Sequence, residues 1–437
     1  MKDSSAGVLF SIPYEIALVR PLRQTTLRER ENALKAAYYN TELVPQEMIY
    51  VDLKTDSGVS SLSTAQMSKL TGVGPLESGM EMAPEGNRAF VSLSEKFREI
   101  FGFPYVVPVA QGRAAERIWA KLHVKEGAVV AGNMLFPSTR FHIESNGGKV
   151  VDVIAEAAHD LYSTQLFKGD IDLKKLAAVF EEHGAQVGCV YVELCVNSCG
   201  GHPVSLGNLK EIKAIADAHK VPLFLDACRI LENSYLIKQR EPGYQNRSLQ
   251  EIVNQTCSPG GRLHDERPQR FFSYPWAESL PCATKRTIRR LRCRIFLNGS
   301  QPPSVAMEAL GVALQEIFAS DPYVTSRVEQ VNYLWRRLKD GIPILTPPGG
   351  HGVFIDVKSF LPHVPAENHP AEALAAFIYH ISGIRLTKGR RWLQAKRLAV
   401  LSSCALPCPR ADTCRGTWMT WPRQSNMRIH GVRRSKG

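Results

Sequence analysis

Residues 221–233 read VPLFLDACRILEN, an apolar strand pattern that ends in Asp226, with Arg229 three residues further on. A carboxylate and a guanidinium at the mouth of a buried strand can be a local ion pair. They can also grip a flat, charged ring, the carboxylate on a protonated ring nitrogen and the guanidinium on a ring oxygen. Other stretches hold groups suited to the same ligand. In VAQGRAAE, Gln111, Gly112 and Arg113 link a strand pattern to a helix pattern. Free N–H groups, a small residue and a cation there suit a phosphate, although ordinary helix starts share them. AGNMLFPSTRFH puts Phe136 shortly after a strand, where it can stack on a ring or join the core. CVNSCGGHP puts Asn197 at the end of the strand before Asp226, as a ligand of the ring oxygen or as a turn residue. Ser57, in KTDSGVSSLS, is a phosphate ligand or part of a turn. A protonated pyridine nitrogen, a phenolate oxygen and a phosphate are together the features of pyridoxal 5'-phosphate (PLP), which works as an electron sink when its nitrogen stays protonated.

These groups need strand ends that converge, and the pattern supplies them. From about 46 to 235, strand and helix alternate: YVVPVA (105–110), GAVVAGN, KVVDVI and VGCVYVELCV read as strands, and GRAAERIWAKLHV, LKKLAAVFEEHG and NLKEIKAIADAHK as helices. Such alternation predicts an α/β fold with a parallel sheet wrapped by helices, whose ligands gather at the carboxyl ends of the strands. After residue 255 the pattern lapses, returning at SVAMEALGVALQEIF and RVEQVNYLWRRLKDGIPIL. PPGGHGVFIDVKSF and PAEALAAFIYHISGIRL then predict a smaller α+β unit, and from about 390 periodicity is lost again.

The net charge of +12 would ordinarily point to nucleic acid. Its location argues otherwise. Residues 258–300 carry nine Lys/Arg against three Asp/Glu, residues 388–437 carry twelve against Asp412 alone, and the remaining chain sums to −5. Nucleic-acid binding through the basic tail is therefore the weaker alternative, since no period there would present the arginines. No apolar run reaches the ~18–20 residues of a membrane span. The first residues do not read as a secretory signal, and ten irregularly spaced cysteines suit a reducing compartment, so a cytoplasmic location is expected.

Taken together, the stretches resemble the aromatic amino acid β-eliminating lyases, tryptophanase and tyrosine phenol-lyase. The resemblance is carried by RPLRQTTLRERENALKAAYYNTELV, TDSG, FGFPYVVPVAQGRAAE, FKGDIDLKKL, LDACR with EN after it, and GGHGVFIDV, over roughly residues 12–256 and 304–389. It implies the PLP-dependent aminotransferase-like fold (fold type I), a three-layer αβα large domain with a smaller α+β domain, incomplete here. The implied division is an arm and part of the small domain at 1–60, a PLP-binding domain at 61–320 with 258–303 aberrant, a small domain at 321–389 and an aberrant basic tail at 390–437. It also implies PLP as cofactor, with phosphate ligands Ser57, Gln111, Gly112 and Arg113, Phe136 stacked on the ring, Asp226 on the ring nitrogen, and Arg229 and Asn197 near the phenolate oxygen. A K+ site with Gly58 and Glu81, a homotetramer and an amino acid substrate follow from the same resemblance.

The chain departs from the family's pattern in places. The Schiff-base lysine is missing: Pro268 and Gln269 stand near its expected site, and the next lysine is Lys285. The acidic tyrosine and the substrate-carboxylate arginine have no clear counterparts. Both aberrant windows fall on such losses, and shifted reading of possible codons for GRLHDER and SCALPC returns family-like stretches, which suggests a reading-frame error. An inactive chain that retains the fold is the alternative. Phenol recognition in the family uses a Thr after the stacking Phe and an Arg in the small domain; here Pro137, Leu386 and Thr387 stand in those places. This disfavours tyrosine and points to tryptophan.

Overall fold

The computed structural model describes residues 23–54, 63–71, 87–103, 106–257, 278–279, 302–319, 322–388 and 398–402. Its strands are β1 (Val51–Leu53), β2 (Pro108–Val109), β3 (Val129–Gly132), β4 (Lys149–Asp152), β5 (Val187–Glu193), β6 (Leu223–Asp226), β7 (Glu278–Ser279), β8 (Gly352–Asp356), β9 (Ile384–Lys388) and β10 (Leu398–Ser402). Its first helices are α1 (Leu27–Ala36), α2 (Thr64–Thr71), α3 (Arg88–Phe101), α4 (Gly112–His123), α5 (Pro137–Glu144), α6 (Leu173–His183), α7 (Leu206–Ala218), α8 (Ile230–Arg240) and α9 (Leu249–Cys257). Further helices follow at Ser304–Ala319, Pro322–Leu338, Val357–Phe360 and Pro370–Ser382.

One sheet, of strand order β4-β3-β5-β6, is parallel throughout. Its two faces can be told apart by strand parity, because successive side chains point to opposite sides. Val129, Ala131, Val190, Val192, Leu223 and Leu225 bury into one core with Leu176 and Val179 of α6 and Leu209 and Ile212 of α7. Val130, Val150, Cys189, Tyr191 and Phe224 bury into another with Trp119 and Ala120 of α4 and Ile143 of α5. There Trp119 packs edge-on against Tyr191 and Phe224, with ring centroids 4.8 and 5.1 Å apart. A sheet buried on both faces must be apolar at consecutive positions, which is why β5 reads as an apolar run from Val187 to Val192. The result is the three-layer αβα arrangement.

The second sheet has the order β1-β9-β10-β8. β1 runs parallel to β9, and β10 runs antiparallel to both β8 and β9. Residues 23–53 therefore join the C-terminal part of the chain. α1 begins with a capping box in which Thr26 and Glu29 exchange side-chain bonds with each other's main chain. Arg30 then ties α1 to the end of the helix Pro370–Ser382, donating from Nε to the His380 carbonyl at 2.7 Å. Arg385 on β9 donates from Nε and Nη2 to the two oxygens of Asp52 on β1, at 3.1 and 2.5 Å, and from Nη2 to Gln46 at 2.8 Å. Arg385 is buried, so removing one partner strands the other. Arg385→Leu should lower the unfolding free energy by about 2–4 kcal/mol, read as a lower urea midpoint, whereas the double change with Asp52→Leu should recover part of that loss.

Four elements differ from the sequence reading. Of YVVPVA, Tyr105 lies outside the described residues, and the described part is a strand only at Pro108–Val109, a short element in keeping with a proline that brings no N–H to a ladder. IPIL is not a strand; Ile344 makes a single bridge to Ile355. Conversely β7 and β10 fall within stretches that read as aperiodic, and what defines them is pairing with β2 and with β8 and β9.

Candidate functional site

The ends of β3, β5 and β6 lie side by side, and each hands its chain to residues singled out from the sequence. β6 ends in Asp226, whose carboxyl is buried. Asp226 Oδ1 accepts the main-chain N–H of Cys228 at 3.2 Å. Burial and the nearby Glu116 carboxyl push Asp226 up to about 7; bonds from the Cys228 main chain and thiol, and the Arg229 guanidinium, oppose this only in part. Arg229 sits at the start of α8 and is partly exposed. It does not settle the carboxyl's charge by itself. A carboxyl poised in this way gains from a further cation or N–H donor.

β5 ends in Glu193, a buried carboxyl that the sequence reading passed over. It is the register partner of Asp226 on the neighbouring strand. By parity both project to the face covered by α4 and α5, where Glu116 accepts a bond from Thr139 Oγ1 at 3.1 Å. Burial and the Asp226 charge push Glu193 up to about 8, against opposing contributions from the Asn197 N–H, Arg229 and the Phe136 N–H. The signal was there: a lone carboxylate in the apolar run VGCVYVELCV has to be placed somewhere specific.

Asn197 follows in a short turn. Its Oδ1 lies 2.9 Å from His351 Nε2. An amide oxygen only accepts, so His351 carries its proton on Nε2 in this contact, and the Asn197 NH2 is turned away to donate elsewhere. The approach of the 349–351 loop to this turn needs glycine. A Cβ on Gly201 would lie 2.4 Å from His351 Nδ1, and one on Gly349 would lie 2.1 Å from the Gly200 carbonyl. His351 was legible only as part of GGHGVF.

After β3, Asn133 is buried and clasps the end of β5: its Oδ1 accepts from the Glu193 N–H at 2.8 Å and its Nδ2 donates to the Glu193 carbonyl at 3.0 Å. Phe136 then precedes Pro137, the first residue of α5, and is only partly buried. Gln111 and Arg113 are exposed, and Gly112 is buried at the first position of α4. The Gln111 side chain does not cap this helix. The first N–H groups of α4 are thus available to an anion, as helix starts leave them.

Ser57, Gly58, Glu81, Pro268, Gln269 and Lys285 lie outside the described residues. For the others, the donor set fits PLP: a buried carboxyl with raised pKa for a protonated ring nitrogen, an oriented amide and a guanidinium for an oxygen, a partly exposed aromatic face, and an uncapped helix start for a phosphate. Among the described residues there is no group of His, Cys, Asp and Glu that could hold a metal ion.

A family model described as β-eliminating lyase matches residues 52–263. Tyrosine phenol-lyase from Symbiobacterium thermophilum is 39% identical over 389 residues, spanning 85% of this chain and 81% of that protein. Tyrosine phenol-lyase from Fusobacterium nucleatum is 39% identical over 381 residues, with the same coverage of 85% and 81%. In fold, the chain is similar to an aspartate aminotransferase variant from Thermus thermophilus, with a TM-score of 0.61 at 16% identity over 92% of this chain and 98% of that one. An aromatic aminotransferase from Pyrococcus horikoshii gives a TM-score of 0.56 at 15% identity, over 86% and 93%. These likenesses bear on the fold alone, which they give as that of the aminotransferases.

Proposed function

The chain belongs to the β-eliminating lyase family, and from that premise we propose that it holds PLP at the ends of β3, β5 and β6, in the site of a reaction that splits an aromatic amino acid into pyruvate, ammonia and the aromatic leaving group. By family it is a PLP-dependent lyase. PLP, when bound, supplies the electron sink that lets the α-proton and then the β-substituent leave. Asp226 keeps the ring nitrogen protonated, which the sink requires. Asn197, its amide oriented by His351, and Arg229 hold the ring oxygen. Phe136 covers the ring face, and Gln111, Gly112 and Arg113, with Ser57, bind the phosphate. The observation that supports this reading most is the buried Asp226 carboxyl, held above its ordinary range where a cationic nitrogen would stabilise it.

The substrate favoured is tryptophan, on the ground that Pro137, Leu386 and Thr387 stand where the phenol-binding Thr and Arg are expected. The tyrosine phenol-lyase names of the relatives favour tyrosine as the second reading. The same reading takes 61–320 as the cofactor-binding unit and 321–389 as the smaller one, with a K+ site at Gly58 and Glu81, a cytoplasmic homotetramer, and no lysine near Pro268 and Gln269 to bond PLP. Without that lysine the chain is inactive as written, for want of both the covalent link and the base that takes the α-proton.

The test is to load the purified chain with PLP, treat it with borohydride and denature it, while assaying pyruvate release from tryptophan and from tyrosine. PLP that binds but dialyses away after borohydride, with pyruvate at background, is the expected outcome. PLP fixed to the chain would place a lysine at the ring, Lys285 being the first to map, and the faster substrate would decide between the two readings. A chain that takes up no PLP would overturn the proposal.

A further inference from the structure

Glu193 does more than fill the end of β5. Its Oε1 accepts the main-chain N–H of Asn197 at 2.8 Å. The Phe136 main-chain N–H also acts on its carboxyl. Its own main chain is clasped from both sides by Asn133, the residue that leaves β3 three positions before Phe136. In register across the sheet stands Asp226. Glu193 therefore bonds the backbone of one residue assigned to the ring, is clasped by the residue three positions before a second, and neighbours the third.

We propose that Glu193 is a positioning residue of the PLP pocket: its carboxyl sets the turn at Asn197, and its main chain, clasped by Asn133, holds the start of the Phe136 loop against the end of β5, so that the ring-facing groups of three strands keep one spacing. The inference rests on the PLP reading above. Reach, more than charge, carries the role. Glutamate extends one methylene beyond aspartate, and it is this longer side chain that brings Oε1 to the Asn197 N–H four residues on. The charge is the costly part, since Asp226, Glu116 and Glu193 share one buried neighbourhood with Arg229 facing it from the start of α8.

Two substitutions separate reach from charge. Glu193→Gln keeps the length and one acceptor oxygen, and its NH2 can donate towards Asp226. Glu193→Asp keeps the charge and loses the length. The measurements are the dissociation constant of PLP by equilibrium dialysis and the visible circular dichroism that bound PLP acquires, which reports how the ring is held. Hydrogen exchange at the Asn197 amide in the cofactor-free chain adds a readout independent of PLP.

Glu193→Gln should bind PLP within about threefold of the unaltered chain, with the same sign and shape of dichroism. Glu193→Asp should bind about tenfold or more weakly, with altered dichroism and faster exchange at Asn197, consistent with loss of one buried hydrogen bond and its spacing. Equal binding and dichroism in Glu193→Asp and the unaltered chain would overturn the positioning role while leaving the PLP reading intact. The reverse pattern, weak binding in Glu193→Gln alone, would also overturn it in favour of charge. No PLP uptake by the unaltered chain would overturn both.

Discussion

Asp226→Ala should weaken PLP binding by about a hundred- to several-thousandfold, the equivalent of the 3–5 kcal/mol typical of removing one partner from a buried charge pair. The ring nitrogen would then be left without its counter-charge, in a site where Arg229 already adds positive charge. Asp226→Asn should do nearly as much damage, because an amide cannot hold the nitrogen's proton.

The Asp226→Asn chain should nonetheless be the more stable protein, and pH should show it. Burial and the nearby Glu116 carboxyl push Asp226 up to about 7 in the fold, from the ordinary 3.8 it has when unfolded. Between those values the folded chain keeps a proton that the unfolded chain has released. The carboxyl's contribution is therefore intact below about pH 4, is lost as pH rises to about 7, and stays lost above. Each pH unit between the two values removes about 1.4 kcal/mol, so the whole loss is of order a few kcal/mol. Urea midpoints of Asp226→Asn and the unaltered chain should coincide near pH 4 and diverge through pH 7, with the variant ahead. A variant that is weaker in PLP binding and equal or lower in stability at pH 8 would show that burial does not strain this carboxyl.

Lys168→Met should destabilise the chain by about 3–5 kcal/mol, since each buried carbonyl deprived of its donor costs about 1–3 kcal/mol and some relax towards water. Lys168 is fully buried. Its ammonium donates to the carbonyls of Asp160 at 2.8 Å, Leu161 at 3.3 Å and Thr346 at 2.7 Å, using three protons on three acceptors. Lys168→Arg should not rescue it, because a planar guanidinium cannot point at three acceptors arranged around an ammonium. The effect should reach the site. Gly169, the next residue, gives its carbonyl to Asn133 Nδ2 at 2.8 Å, and Asn133 in turn clasps Glu193. A Cβ on Gly169 would meet the His202 carbonyl at 2.6 Å, so this loop has little room to adjust. Denaturant midpoints and PLP dissociation constants should therefore shift together. A stability loss with PLP affinity unchanged would sever the Lys168 loop from the site.

The elements around the site were legible because they are local. The β-rich apolar run VGCVYVELCV, the 3.6-residue period of NLKEIKAIADAHK and the turn residues of CVNSCGGHP depend on neighbours in sequence. So does the position of Asp226, Arg229, Asn197, Phe136 and Gln111–Arg113 at the ends of those elements. The family, too, was written in short ordered motifs. Tertiary structure alone decided the rest. Which side of the sheet Asp226 faces, and that Glu193 stands beside it, depends on the register of β5 against β6. That Arg385 meets Asp52, 333 residues earlier, and that Lys168 meets Thr346, 178 residues later, has no local period to announce it. The physical reason is desolvation. A carboxyl's charge, a lysine's bonds and an amide's orientation are set by what the fold packs around them, and a linear pattern holds no record of those neighbours.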